Sequence, residues 1–159
     1  MRQNSIVLDN FAGTGIVSEC IRKEMSGWVK SMNWDYFLTL TTAYESTPRS
    51  MRRLAERWHS CTKNISSQSK VPFFYVMEKH KHRGFHLHGL LNLYGRNSGD
   101  EFPDTSHQCW MELRDSYVRM AGKDTWHRNH IVPYNSNGGA EEYCTKYITK
   151  NLVDWDILV

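Results

Sequence analysis

The chain lacks a C-x-x-C pair, an apolar run approaching the ~20 residues that span a bilayer, a G-x-x-x-x-G-K-[ST] loop, internal repeats and low-complexity tracts. Each absence removes a class of protein. Cys20, Cys61, Cys109 and Cys144 are scattered, which argues against a cysteine-type zinc finger. With no signal-peptide pattern, the expectation is reduced thiols in a soluble, intracellular chain with no membrane partner. Without a phosphate-cradling loop there is no recognisable helicase motor. Excess charge of one sign is also scarce: 20 Lys and Arg face 17 Asp and Glu, a net +3 that permits a nucleic-acid partner without requiring one.

What is present has ordinary globular proportions. The 159 residues, 40% hydrophobic and 23% charged, suffice for a single domain over 1–159 with a proper core. Ile6-Val7-Leu8 reads as a short strand or a loosely attached arm, and Ile21, Met25, Trp28 and Met32 recur at helical spacing behind Ser18, a candidate N-cap, giving a helix over 18–32. Residues 34–42 are aromatic and β-branched, a strand with Leu38 and Leu40 on one face and Thr39 and Thr41 on the other. Thr47-Pro48 opens a second helix, whose inner face carries Met51, Leu54, Ala55, Trp58 and Cys61.

Strands over 71–78 and 85–93 follow, joined by the basic Lys79-His80-Lys81-His82-Arg83-Gly84. Residues 94–107 read as an exposed loop, and 108–120 as a helix with Trp110, Leu113 and Tyr117 inward. A strand over 130–134, a turn over 135–139 and a last helix over 140–150 complete the chain. A hairpin at the centre of alternating strands and helices predicts an α+β fold, with a mainly antiparallel central sheet of about five strands and flanking helices.

Two clusters carry chemistry. His86 and His88, two apart on a strand, share one face, and Glu78 joins them there if the two central strands form a hairpin. Two imidazoles and a carboxylate leave positions open on a divalent ion, which a catalytic site requires. By strand parity His80 or His82 could replace Glu78, and the plain alternative is a pair of half-exposed strand histidines. The second cluster is Tyr143, Lys146, Tyr147 and Lys150, three and four apart on one helical face. An unassisted phenol is almost wholly protonated at neutral pH, so a nucleophilic tyrosine needs a neighbouring cation or metal. Without one, the same spacing describes a core-facing seam.

Taken in order, Phe37-Leu38-Thr39-Leu40-Thr41, Glu78 with His86-Leu87-His88, and Tyr143-Cys144-Thr145-Lys146 resemble the three motifs of HUH-superfamily rolling-circle replication initiators. The Glu78 spacing and residues 140–146 look like circovirus and geminivirus initiators. The pair Tyr143 and Tyr147 looks like those of small single-stranded DNA phages. The resemblance implies an HUH endonuclease fold, which is RRM-like, and a divalent ion, Mn²⁺ or Mg²⁺, held by Glu78, His86 and His88. It also implies Tyr143 as nucleophile with Lys146 beside the phosphate, and Tyr147 as a second nucleophile or a packing residue.

The implied substrate is single-stranded or extruded origin DNA, with unwinding supplied by a separate helicase. Expected DNA contacts are Thr39, Thr41, Lys79, Lys81, Arg83 and Lys150, with Lys123 and Arg128 further along. The implied location is the cytoplasm of a prokaryotic, phage or plasmid host, or the host nucleus for a eukaryotic virus. The competing readings are an HUH-type transposase or relaxase, and a non-catalytic single-stranded nucleic-acid-binding domain.

Overall fold

A computed structural model describes residues 15–42, 46–79, 84–95, 101–118, 129–150 and 155–159. Its elements are α1 (Gly15–Lys30), β1 (Tyr36–Thr41), α2 (Pro48–Ser66), β2 (Phe73–Lys79), β3 (Phe85–Leu91), α3 (Glu101–Val118), β4 (His130–Pro133), α4 (Ala140–Lys150) and β5 (Trp155–Leu158). The five strands form one sheet in the order β4-β1-β3-β2-β5, with every neighbouring pair antiparallel. This is the expected α+β architecture. Among the described residues no helix is long and apolar enough to cross a membrane.

Strand alternation splits the apolar residues between two cores. Leu38, Leu40, Phe73, Tyr75, Met77, Leu87 and Leu91 face α2 and α3, while Phe74, Val76 and Leu90 face α1 and α4. Between the central strands there is a place where no side chain fits. A Cβ on Gly89 would lie 2.5 Å from the Phe73 ring and 2.9 Å from the Phe74 carbonyl oxygen, so the strands pair this closely because position 89 has none.

The second helix begins as its residues dictate. The Thr47 hydroxyl accepts from the Ser50 N–H at 3.2 Å, the Ser50 hydroxyl accepts from the Thr47 N–H at 2.9 Å, and Pro48 occupies the first turn. Met51, Leu54, Ala55 and Trp58 are buried as their spacing predicts. His59, on the same face, places Nε2 2.6 Å from the Val71 carbonyl and lays its ring against Phe73. Burial holds its pKa below the ordinary 6.5, against the opposing pull of the Val71 carbonyl.

The unfolded chain therefore takes up a proton that the folded one refuses. The contribution of His59 is full above the ordinary pKa and is lost as pH falls through the lower folded value. Thermal unfolding from pH 7.5 to pH 5 is expected to show a fall in melting temperature that is shallower in His59→Gln.

Four expectations need correction. The first helix starts at Gly15, so Ser18 lies inside it and does not cap it; the i,i+4 spacing of Ile21 continues back to Val17, which moves the start upstream. The helix also ends at Lys30, short of Met32.

The expected loop over 94–107 contains the first two turns of α3, which begins at Glu101. Pro103 is tolerated in a first turn, Glu101 and Asp104 suit the positive helix end, and Phe102 and Ser106 are buried. Cys61 and Cys109, expected as reduced thiols, form a disulfide that ties α2 to α3 where both helices pack on one core. Finally, β5 has no counterpart among the expected elements. The expected strand over Ile6–Leu8 lies outside the described residues, and so does the side chain of Tyr117.

Candidate metal and nucleophile centre

The centre is a consequence of register. Glu78 pairs with His86 across β2 and β3, Thr41 pairs with His86 from the other side, and Thr39 pairs with His88. All five side chains thus share the face that α1 and α4 cover only in part. Nε2 of His86 lies 2.6 Å and Nε2 of His88 3.1 Å from the same Glu78 oxygen, Oε2. One ligand atom from each residue falls within 4.8 Å of the others, a spacing that could hold a metal ion. His80 and His82 lie outside the described residues, and among those described Glu78 completes the set.

The donor chemistry fits a divalent cation in a further respect. Nδ1 of His88 is 3.0 Å from the Thr39 hydroxyl oxygen. When Nε2 turns its lone pair to an ion, Nδ1 carries the hydrogen and donates to Thr39, so the threonine sets both tautomer and ring angle. Thr39→Val keeps a strand-favouring side chain of similar shape and removes that acceptor. It is expected to weaken Mn²⁺ affinity by roughly 10- to 100-fold in calorimetric titration, with Thr39→Ser close to the parent.

Thr39 and Thr41 are both expected DNA contacts, and the structure engages both within the protein. The N–H and hydroxyl of Thr41 donate to Oδ1 of Asn129 at 2.7 and 3.0 Å, and the Trp110 indole donates to its carbonyl at 2.9 Å. Asn129 joins β1 to the start of β4, and no motif spacing marks it.

The helix that carries the tyrosines is launched by a built turn. The Gly138 N–H donates to the Asn135 carbonyl and the Asn137 N–H to the Asn135 side chain. Gly139 then takes φ +66°, which a side chain would strain, and its carbonyl accepts the first helical bond from the Tyr143 N–H at 2.8 Å. Fully buried Glu141 fixes the helix sideways: Tyr134 Oη donates to its Oε2 at 2.9 Å, and Lys30 Nζ lies 3.5 Å from its Oε1. Burial first, and then the carboxylate, push the Tyr134 phenol up to about 12. Spacing gives no sign of this pair, since a glutamate in a first helical turn looks like an ordinary solvated residue.

So held, α4 presents Tyr143 to the histidines. Its ring centroid is 4.8 Å from that of His88, edge to face at 88°, and 6.3 Å from that of Phe37. At 39% exposure it is open to a substrate. Neighbouring Cys144 is not a rival nucleophile: it is fully buried, and burial together with the Glu141 charge pushes its thiol up.

The other expected residues are distributed unevenly. Lys79 is exposed at the end of β2, beside Glu78. Lys146 is exposed but lines, with Glu142 and Thr145, an open cavity of about 890 Å³ on the α1 side of α4. Tyr147 and Lys150 belong to α4, with side chains outside the described set, while Lys81, Arg83, Lys123 and Arg128 lie wholly outside the described residues.

A family model for replication-associated proteins of the ORF2 type matches residues 35–152, a span that runs from just before β1 through α4 and includes every residue of the centre. No curated protein and no solved structure gives a significant match.

Proposed function

Because the chain belongs to this replication-associated protein family, we propose that it initiates DNA replication as an HUH-type rolling-circle initiator, nicking and rejoining single-stranded origin DNA. The observation that carries this reading is the juxtaposition of Tyr143 with His88, which itself shares the Glu78 oxygen with His86. A sheet face that brings a two-histidine, one-carboxylate set against an exposed tyrosine at a helix start suits attack on a phosphodiester.

A divalent cation bound by Glu78, His86 and His88 supplies Lewis-acid polarisation of a phosphate oxygen. The residues do the rest. Tyr143 Oη attacks the phosphorus, a phosphotyrosyl ester forms with the 5′ side, and the bond to the 3′ oxygen breaks. That oxygen takes up a proton and leaves as a free 3′-hydroxyl.

One phosphoester replaces another, so the hydroxyl of an incoming strand can reverse the step without ATP. Thr39 holds the His88 ring, and Glu141 holds α4, so that both partners meet the phosphate already oriented. Lys146, one turn beyond Tyr143, would bring a cation to the developing charge, and Lys79 would grip the backbone next to the site.

The test is incubation with a single-stranded oligonucleotide library and Mn²⁺, read on a denaturing gel and by peptide mapping. A protein-DNA adduct at Tyr143 that disappears with EDTA is the expected outcome. Retention of DNA without any adduct, indifferent to chelator, would assign the chain to the non-catalytic binding modules instead.

A further inference from the structure

Beside Tyr143, on the side away from α1, lies a pocket of about 330 Å³ between β1, β4, the 135–139 turn and the start of α4. We propose that it receives a single unstacked nucleobase adjacent to the phosphate that Tyr143 attacks, and that this base is a determinant of which DNA the protein selects. The inference rests on the nicking reading above.

Four observations define the occupant. The volume sits at the small end of ligand sites, about 300 Å³, which suits one heterocycle and excludes a helix or a folded segment. The walls are apolar and flat: Phe37, Val132, Pro133 and Ala140, with the Tyr143 ring perpendicular to that of Phe37 at 89°. A base laid on one ring meets the other edge-on, the geometry in which aromatic pairs attract.

Val132 is 42% exposed on an edge strand, an apolar side chain left open where edges are normally guarded. Pro133 beside it has no N–H to donate to an added strand, so an occupant lies over the sheet face and does not extend the sheet.

The fourth observation is continuity. His88 and Tyr143 line this pocket and also form the centre, so a base seated here belongs to a nucleotide whose own backbone reaches the cluster. Asn135 closes the rim. Its side-chain oxygen is occupied by the Asn137 N–H, which leaves the amide N–H₂ as the group presented to the edge of a base.

The experiment uses the tightest-binding oligonucleotide selected by the full chain from a random single-stranded library in Mn²⁺. An abasic site is walked along it, with affinity read by fluorescence anisotropy and adduct formation read separately. A single abasic position is expected to cost on the order of 10-fold in affinity, the scale of one base stacked on an aromatic.

Val132→Trp, filling the pocket from the edge strand, and Ala140→Leu, filling it from the helix, should each cost the intact oligonucleotide a similar factor. Each should then add nothing on the abasic one, a non-additive cycle. Melting curves identify a variant that has lost its fold, and the other then carries the test. A flat abasic scan, additive losses, or no selectable oligonucleotide would overturn the inference. Position-specific affinity without an adduct would uphold it while refuting the nicking chemistry.

Discussion

Tyr143→Phe is expected to reduce covalent attachment to DNA by roughly 10³-fold or more, because loss of the nucleophile is the deepest lesion a covalent mechanism can suffer. The variant is informative because so little else changes. The ring, its 88° edge contact with His88 and its contact with Phe37 all survive in Phe, and only the hydroxyl goes. Melting temperature and non-covalent oligonucleotide binding should stay near the parent's, so a loss of adduct cannot be ascribed to misfolding. An adduct that persists in Tyr143→Phe and vanishes in Tyr147→Phe would transfer the nucleophile one turn along α4 and leave the reaction class intact.

The second large effect concerns Glu78. Its Oε2 is the point on which both imidazoles converge, so Glu78→Gln removes the one negative charge of the ligand set while keeping its shape. Mn²⁺ affinity is expected to fall by more than the roughly 10- to 100-fold typical of losing an outer hydrogen-bond partner, as with Thr39. The same loss is readable without DNA. An ion present at about 100 times its dissociation constant stabilises the folded state by about 2.7 kcal/mol, a rise in melting temperature that Glu78→Gln should forfeit at that concentration. No thermal shift with Mn²⁺ or Mg²⁺ in the parent protein would remove the metal from the centre altogether.

Much of this centre could be read from spacing, and the reasons are specific. Period-two alternation put His86 and His88 on one face, and the short basic connection after Glu78 implied the hairpin that aligns it with His86. The partner of His88 was out of reach. Alternation places Thr39 on a polar face, but only the order β1-β3-β2 decides that this face adjoins His88, and strand order is a property of the assembled sheet.

For the same reason the hydroxyls of Thr39 and Thr41 looked available for DNA. The start of α3 was hidden by loop-like composition at Pro103, Asp104, Thr105 and Ser106, although the Ser106 carbonyl accepts the Trp58 indole N–H at 3.0 Å and anchors that turn to α2. The four residues of β5 are too few for their period to separate a strand from a continuing helix. The Cys61–Cys109 link arises from two helices packing on one sheet, which their separation in sequence does not announce.

The buried Glu141 anchor also bears on how a two-tyrosine cycle could run. Tyr143 and Tyr147 are one turn apart on α4, so handing the ion from one to the other by sliding the helix would need a translation of about 6 Å. That motion would tear Glu141 from Tyr134 and strand a carboxylate in an apolar core. The helix is a fixed post and not a ratchet: if both tyrosines take part, the nucleic acid must travel between them while the protein stands still.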